Sequence, residues 1–177
     1  RYPLRTLLNA RRFVNFSDCN RDVELNGPHM AYLARRLRIP ELMGLAAQQP
    51  AIWPPDQLTW GLRRLFWRPD SEAAPSTPSW RDFFRGMQWM LARRDPSDPD
   101  ALVLAAKGGH NDEMHNQNDV GAFLVLWRDE ALIADPGVGR YTRAYFGPER
   151  YDHLVNSSFG HSVPVVNGHG QAPGRRY

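Results

Sequence analysis

The residues of this chain best suited to chemistry lie in one short stretch, Lys107-Gly-Gly-His110-Asn-Asp-Glu-Met-His115, continued by Asn116-Gln117-Asn118-Asp119. Two histidines sit there among carboxylates, carboxamides and paired glycines, and an apolar run flanks the stretch on each side. Imidazole exchanges a proton near neutral pH, and its neutral nitrogen is also a common metal ligand. The stretch is too polar to build a core and longer than a tight turn needs, so it reads as a functional loop held at a strand end and turned to solvent. In the opposing reading its Gly, Asn and Asp residues only make turns and its histidines are solvated.

Two polar positions further along extend the pattern. Asp135 closes an apolar run as Ala134-Asp135-Pro136-Gly137, and His161 opens another as Gly160-His161-Ser162-Val163-Pro164, so each is expected at the rim of a sheet. Asp135 and His161, joined by donors from the His115 loop, would make a site of N and O ligands, a type that suits zinc. Asp-Pro-Gly is equally an ordinary turn, and a histidine at a strand start is often just hydrogen-bonded. Between them, Arg140, Arg143 and Tyr145 could hold a carboxylate or a sulfate through guanidinium forks and a phenol. They are equally read as the solvated face of a short helix and as packing, with Tyr141, Phe146 and Tyr151 in the same packing role.

These residues need elements to hold them. Residues 29–48 place Met30, Leu33, Leu37, Leu42 and Leu45 at helical spacing around Pro40, which predicts two short amphipathic helices; Leu58, Leu62, Leu65 and Phe66 predict a third over residues 57–67. Residues 71–79, with Pro75 and Pro78 among small polar side chains, predict a linker. Beyond it the period changes to two, and strands are expected at 87–92, 101–106, 121–127, 131–135 and 162–166, with turns at 95–99 and 128–130. The expected fold class is α+β: a helical part over residues 1–70, the linker, and an antiparallel sheet or sandwich over 80–177. Trp53, Trp60, Trp67, Trp80 and Trp89 read as core and interdomain packing, whereas His29, His153 and His169 suggest no partner.

Composition narrows the classes. An apolar fraction of 42% is compatible with a buried core. One cysteine, Cys19, excludes an internal disulfide framework and a cysteine-based zinc cluster. The formal charge is +3, from 22 Lys+Arg against 19 Asp+Glu, and almost every base is arginine. An acidic partner fits that surplus, although a sum this small is also ordinary surface balance. The chain carries no run of interleaved basic and aromatic residues, so nucleic acid is not implied, and no stretch of 18 or more apolar residues spans a membrane. Arg1 in place of an initiating methionine, and the Gly- and Arg-rich run at 171–177, give the expectation of a piece of a longer protein.

Several words of the sequence together resemble the heparinase II/III-like family of polysaccharide lyases. They are Phe13-Val-Asn-Phe-Ser-Asp18, Leu62-Arg-Arg-Leu-Phe-Trp67, the stretch 106–119 with its His-Asn-x-Asn-Asp core, Ala134-Asp-Pro-Gly137, and Asn156-Ser-Ser-Phe-Gly-His-Ser-Val-Pro164. The resemblance implies the end of an α/α toroid followed by an incomplete antiparallel β-sandwich, with a cleft between them. It implies β-elimination on a uronate-containing acidic polysaccharide and a periplasmic, cell-envelope or secreted setting. It implies a zinc site on the second histidine of a His-x-His pair, a strand-end Asp and a later His, which fall here on Gln117, Asp135 and His161. Gln117 departs from that pattern, since a carboxamide oxygen is a much poorer zinc ligand than imidazole. The first histidine of the pair, matching His115, faces the sugar, so His115 is the expected catalytic residue, with His110, Asn116, Arg140, Arg143 and Tyr145 as substrate contacts. The family's principal Asn-His and Tyr pair belongs to the toroid and is expected upstream of Arg1. Two rival readings stand beside the lyase: a non-catalytic glycan-binding or exopolysaccharide-assembly module, and a metal-dependent hydrolase built on His115, Asp135 and His161.

Overall fold

A computed structural model of the chain describes residues 2–9, 12–52, 58–70 and 72–174. Trp53, Gln57 and Ser71, and residues 175–177 of the tail, lie outside the described residues. The chain divides into two compact units, one of Arg1–Phe13 with Glu24–Ser79 and one of Val14–Val23 with Trp80–Tyr177. A short N-terminal segment thus leaves the helical unit and belongs with the sheet.

The helical unit holds α1 (Tyr2–Arg5), α2 (Gly27–Leu37), α3 (Pro40–Gln48) and α4 (Leu58–Phe66). α2 starts where Asn26 accepts the His29 N–H on its side-chain oxygen (3.1 Å), with proline in the first turn, where a missing N–H costs nothing. It ends at Arg38, whose left-handed backbone (φ 55°) lets its N–H reach the Ala34 and Arg35 carbonyls. Pro40 then opens α3. α2 packs on α3; its buried residues are small, Gly27, Pro28, Ala31 and Ala34, while α3 buries Leu42, Met43, Leu45 and Ala46, and the Leu37 expected in the stripe is exposed. In α4 the leucine stripe points outward, with Leu58, Leu65 and Phe66 all more than 70% exposed. Aromatic rings hold that region together instead: Tyr32 stacks on Trp67 (4.3 Å between centroids), His29 meets Trp60 and Trp67, and Arg63 lies over both indoles. No helix among the described residues is long and apolar enough to cross a membrane.

The second unit is built on an antiparallel meander of β1 (Arg81–Phe84), β2 (Trp89–Arg93), β3 (Val103–Lys107), β4 (Phe123–Trp127) and β5 (Glu130–Ile133), each paired with its neighbour in chain order. The β4–β5 hairpin turns through Arg128 and Asp129, both at positive φ (50° and 64°), the backbone that a tight right-twisted hairpin demands. Asp95 and Asp98 shape the β2–β3 loop by accepting the N–H two residues on. Alternation buries Leu91, Val103, Ala105, Leu124 and Leu126 on one face. On the other face Phe83, Met90, Ala106 and Phe123 are register partners across four strands and remain partly or largely open.

Two expectations change. The strand β1 was not foreseen, and residues 162–166 form no strand: the chain there leaves a single 3-10 turn (Ser158–Gly160), and only Val166 makes an isolated bridge, to His169. Pro164 removes one donor from that run, and Ser162 bonds the Phe123 backbone through its hydroxyl, so a side chain replaces the ladder. His161 therefore ends a helical turn instead of opening a strand. Trp80, expected in packing, is 60% exposed.

Candidate functional site

The polar loop after β3 is divided between interior and surface. Asn111, Asn116, Gln117, Asn118 and Asp119 are each no more than 5% exposed, whereas Asp112, Met114 and His115 face solvent as the sequence led one to expect. The carboxamides act as splints, because each one carries donors and acceptors that a buried irregular backbone requires. Asn116 donates to the Asn111 carbonyl (2.8 Å) and accepts from the Tyr151 hydroxyl (2.7 Å). Asn118 donates to the Gln171 carbonyl (3.1 Å) and its own carbonyl takes the Ser158 hydroxyl (2.8 Å). Asn116 is thus tied into the loop's own hydrogen-bond network. His110 makes a local turn in which its Nδ1 accepts the Asp112 N–H (3.2 Å).

Two clusters grow out of this loop. The first is centred on Asp18, carried on the Val14–Val23 segment, whose side chain is 3% exposed. Its carboxylate accepts the Tyr145 hydroxyl (2.7 Å), Arg150 Nη2 on both oxygens (3.1 and 3.2 Å), and the Tyr141 hydroxyl (3.3 Å), and it faces His115 Nδ1 at 3.3 Å. Burial alone would raise the Asp18 pKa. The bonds from Tyr145 and Arg150, the guanidinium charge and His115 outweigh burial and hold it below the usual carboxylate value. The His115 ring is 60% exposed, and its backbone is left-handed (φ 56°), as is that of Ser17 (φ 63°). Asp18 N–H points to the His115 carbonyl (3.4 Å). Non-glycine residues held at positive φ on both sides of one contact mark a place where tertiary structure overrides local preference. Arg150 is fixed further by the Asn116 and Tyr145 carbonyls (2.8 and 3.2 Å).

The second cluster lies deeper. Asp119, Asp135 and His161 each offer a ligand atom, all within 4.8 Å of one another. His161 Nδ1 meets Asp135 Oδ2 at 2.9 Å and Nε2 meets the Val155 carbonyl at 3.0 Å. Burial opposes charging of the imidazole, but Asp135 and then Asp119 outweigh it, so the His161 pKa stands above the ordinary value. Asp119 pairs with Lys107 Nζ through Oδ1 (2.5 Å), and Lys107 also reaches Ser17 Oγ (3.0 Å). Burial pushes the Asp119 carboxyl up, with Lys107 pulling against it. Gly137 closes the site: it sits at φ 71°, and a Cβ there would stand 2.7 Å from the Cys19 carbonyl. The Gln117 amide donates to the Gly137 carbonyl (3.0 Å).

The donor set fits a divalent cation. Among the described residues, Asp119 Oδ2 is buried without a hydrogen-bond partner, and so is Gln117 Oε1. His161 bonds the Val155 carbonyl through Nε2, which leaves Nδ1, now beside Asp135 Oδ2, as the atom it could offer a metal. Asp119 thus stands with Asp135 and His161 as the third candidate donor, and the Asp residue of the His-Asn-x-Asn-Asp word carried that signal.

Of the residues expected at the site, Asp135 and His161 meet each other, while His115 and Tyr145 meet at Asp18. Arg140 and Arg143 are exposed on either side of Tyr141, and Tyr145 is buried. Burial, then its bond to Asp18, push the Tyr145 phenol up. Sequence reasoning missed Asp18, Arg150, Lys107 and Asp119. His153, without a partner in sequence, packs its ring against Tyr145 (5.7 Å between centroids). No protein-family model matches this chain, and no curated protein sequence matches it.

Proposed function

We propose that this chain is part of a polysaccharide lyase that cleaves a uronate-containing acidic polysaccharide by β-elimination, in a periplasmic, cell-envelope or secreted setting. The observation that carries the reading is the geometry at Asp18. One buried carboxylate holds an exposed imidazole, His115, and a half-exposed phenol, Tyr141, so that two proton-transfer groups stand together at the surface. The resemblance of the residue words to the heparinase II/III-like family supports it from the side of sequence.

Elimination needs the uronate carboxylate neutralised so that the C5 proton becomes acidic, a base to take that proton, and an acid for the departing O4. His115 can take or return a proton at its outward nitrogen, Tyr141 carries a hydroxyl proton, and the exposed Arg140 and Arg143 can meet carboxylate or sulfate. The principal base and acid stay on the helical domain in this reading, and the sheet unit assists. Asp119, Asp135 and His161 would hold a zinc or similar ion; when bound, that ion supplies a fixed positive charge and ties three chain segments together. The open apolar row Phe83, Met90, Ala106 and Phe123 supports a second sheet as the covering layer of a β-sandwich, since a solvated antiparallel face is ordinarily polar. The α2–α3 pair would then be the end of an α/α toroid.

The test is the ultraviolet absorbance of unsaturated uronate ends when the intact protein meets alginate, heparan-type and bacterial exopolysaccharides. One polymer should give a rise, and His115→Ala should slow it about 100-fold or more, the usual scale for one acid–base group. Saturable binding without any rise would favour the glycan-binding module, and neither binding nor a rise would reject the reading.

A further inference from the structure

His115 is held through one nitrogen. Its Nδ1 lies 3.3 Å from Asp18 Oδ2, and among the described residues Nε2 has no hydrogen-bond partner while the ring is 60% exposed. The partner it meets has no freedom to donate. Asp18 already receives Tyr145 on Oδ1, Tyr141 on Oδ2 and the Arg150 guanidinium on both oxygens. A carboxylate surrounded by donors in this way is ionised and can only accept, so the proton between it and His115 must belong to the imidazole. The main chain keeps the two residues side by side, because the Asp18 N–H addresses the His115 carbonyl while φ of His115 stays at 56°.

We propose that Asp18 is a positioning residue that selects the Nδ1–H tautomer of His115 and so turns an unprotonated Nε2 toward solvent as a ready proton acceptor. Which nitrogen of a histidine carries the proton is set by the hydrogen bond that the other nitrogen makes, and a carboxylate behind Nδ1 is the general device for presenting Nε2. The other donors on Asp18 serve this arrangement: they keep the carboxylate ionised and immobile next to an exposed ring. Arg150 is central, since its Nη2 also binds the Asn116 carbonyl, one residue from His115 (2.8 Å).

The experiment requires no substrate, so its failure and the failure of the lyase reading are separate results. The intact chain is labelled with nitrogen-15, and two-bond proton–nitrogen correlations of the histidine rings are read at a pH of about 9, where an imidazole of ordinary pKa is neutral. The His115 signals are those that vanish in His115→Gln. A protonated-type Nδ1 with a bare-type Nε2 is expected; the reverse pattern would overturn the proposal. In Asp18→Asn, Arg150 should claim the carboxamide oxygen and leave the amide N–H groups facing His115, which inverts the ring to Nε2–H. A merely structural Asp18 would leave the tautomer unchanged, and an unchanged tautomer in a folded Asp18→Asn protein would equally overturn the assignment. Should that variant not fold, the unmodified protein's own pattern decides the question, with Tyr141→Phe as the control that should keep Nδ1–H.

Discussion

Asp18 and Asp119 are both carboxylates with almost no exposed surface, at 3% and 0% of the side chain, yet the fold treats them differently. Asp18 collects donors on both oxygens from two tyrosines, an arginine and a histidine, and its pKa falls. Asp119 has Lys107 on one oxygen and, among the described residues, no hydrogen bond on the other, and its pKa rises. Burial penalises both charges equally in kind; the number and sign of the groups that meet them decides the outcome. The first carboxylate is complete and can orient a surface histidine. The second is short of positive charge, which is the condition a bound cation relieves.

The largest expected effect lies at the incomplete carboxylate. Lys107→Met leaves Asp119 as an uncompensated buried charge and should cost about 3–5 kcal/mol, read as a lower urea midpoint with an unchanged slope. Adding Asp119→Asn in the same chain should recover most of the loss, because the stranded charge is then gone. A loss that persists in the double variant would mean that Lys107 acts through packing and its bond to Ser17, not through the pair. The next effect is ligation: at zinc a hundredfold above its dissociation constant, the native state should gain about 2.7 kcal/mol. His161→Ala should abolish that gain while leaving the His115 ring signals in place. Equal thermal shifts in both proteins would move the ion elsewhere.

Much of the scaffold was legible in the sequence because it is local. Pro40, the helical spacing on either side of it, and the turn residues 128–130 each act over a few neighbours, and α2, α3 and the β4–β5 hairpin follow from them. β1 was hidden since its inward positions are Asp82 and Phe84, and Asp82 is buried against Arg93 (3.7 Å), so the alternation carries a charge where the pattern demands an apolar residue. The two clusters were hidden for a different reason. Asp18 meets its partners across 97 to 132 residues, and Lys107 meets Asp119 only because the loop folds inward on its own carboxamides. His115, Asp135 and His161 stood out by residue type alone; their supporting groups did not, because Asp, Lys and Tyr are ordinary surface residues until tertiary structure encloses them.

A smaller effect separates the two carboxylates by pH. Folding lowers the Asp18 carboxyl below its unfolded value near 3.8, so its contribution to stability is complete above that value and is lost as pH falls through the folded one. Asp18→Asn should therefore be less stable than the unmodified protein at neutral pH, and the two denaturation midpoints should converge on acidification below about 3.8. Asp119 has the opposite shift, so acidification should stabilise the unmodified protein relative to Asp119→Asn, the reverse of its effect on the Asp18 pair. Parallel curves for the Asp18 pair would mean that its carboxylate gains nothing from its donors.

The smallest effect distinguishes arginines of one short segment. Arg150 is nearly enclosed, bonded to Asp18 and to two carbonyls and lying 4.8 Å from the Tyr145 ring centre, whereas Arg140 and Arg143 stand exposed. Arg150→Lys keeps the charge but loses the planar fork that meets several acceptors at once, so it should lower the midpoint clearly. Arg140→Ala and Arg143→Ala should leave the midpoint unchanged, because an exposed guanidinium is already solvated in both states. If these two serve an acidic polymer, their loss should instead weaken its binding most at low salt, where exposed charges are least screened. A midpoint shift in either alanine variant would make that arginine part of the scaffold, and binding that is unchanged at every salt concentration would leave it without a role toward the glycan.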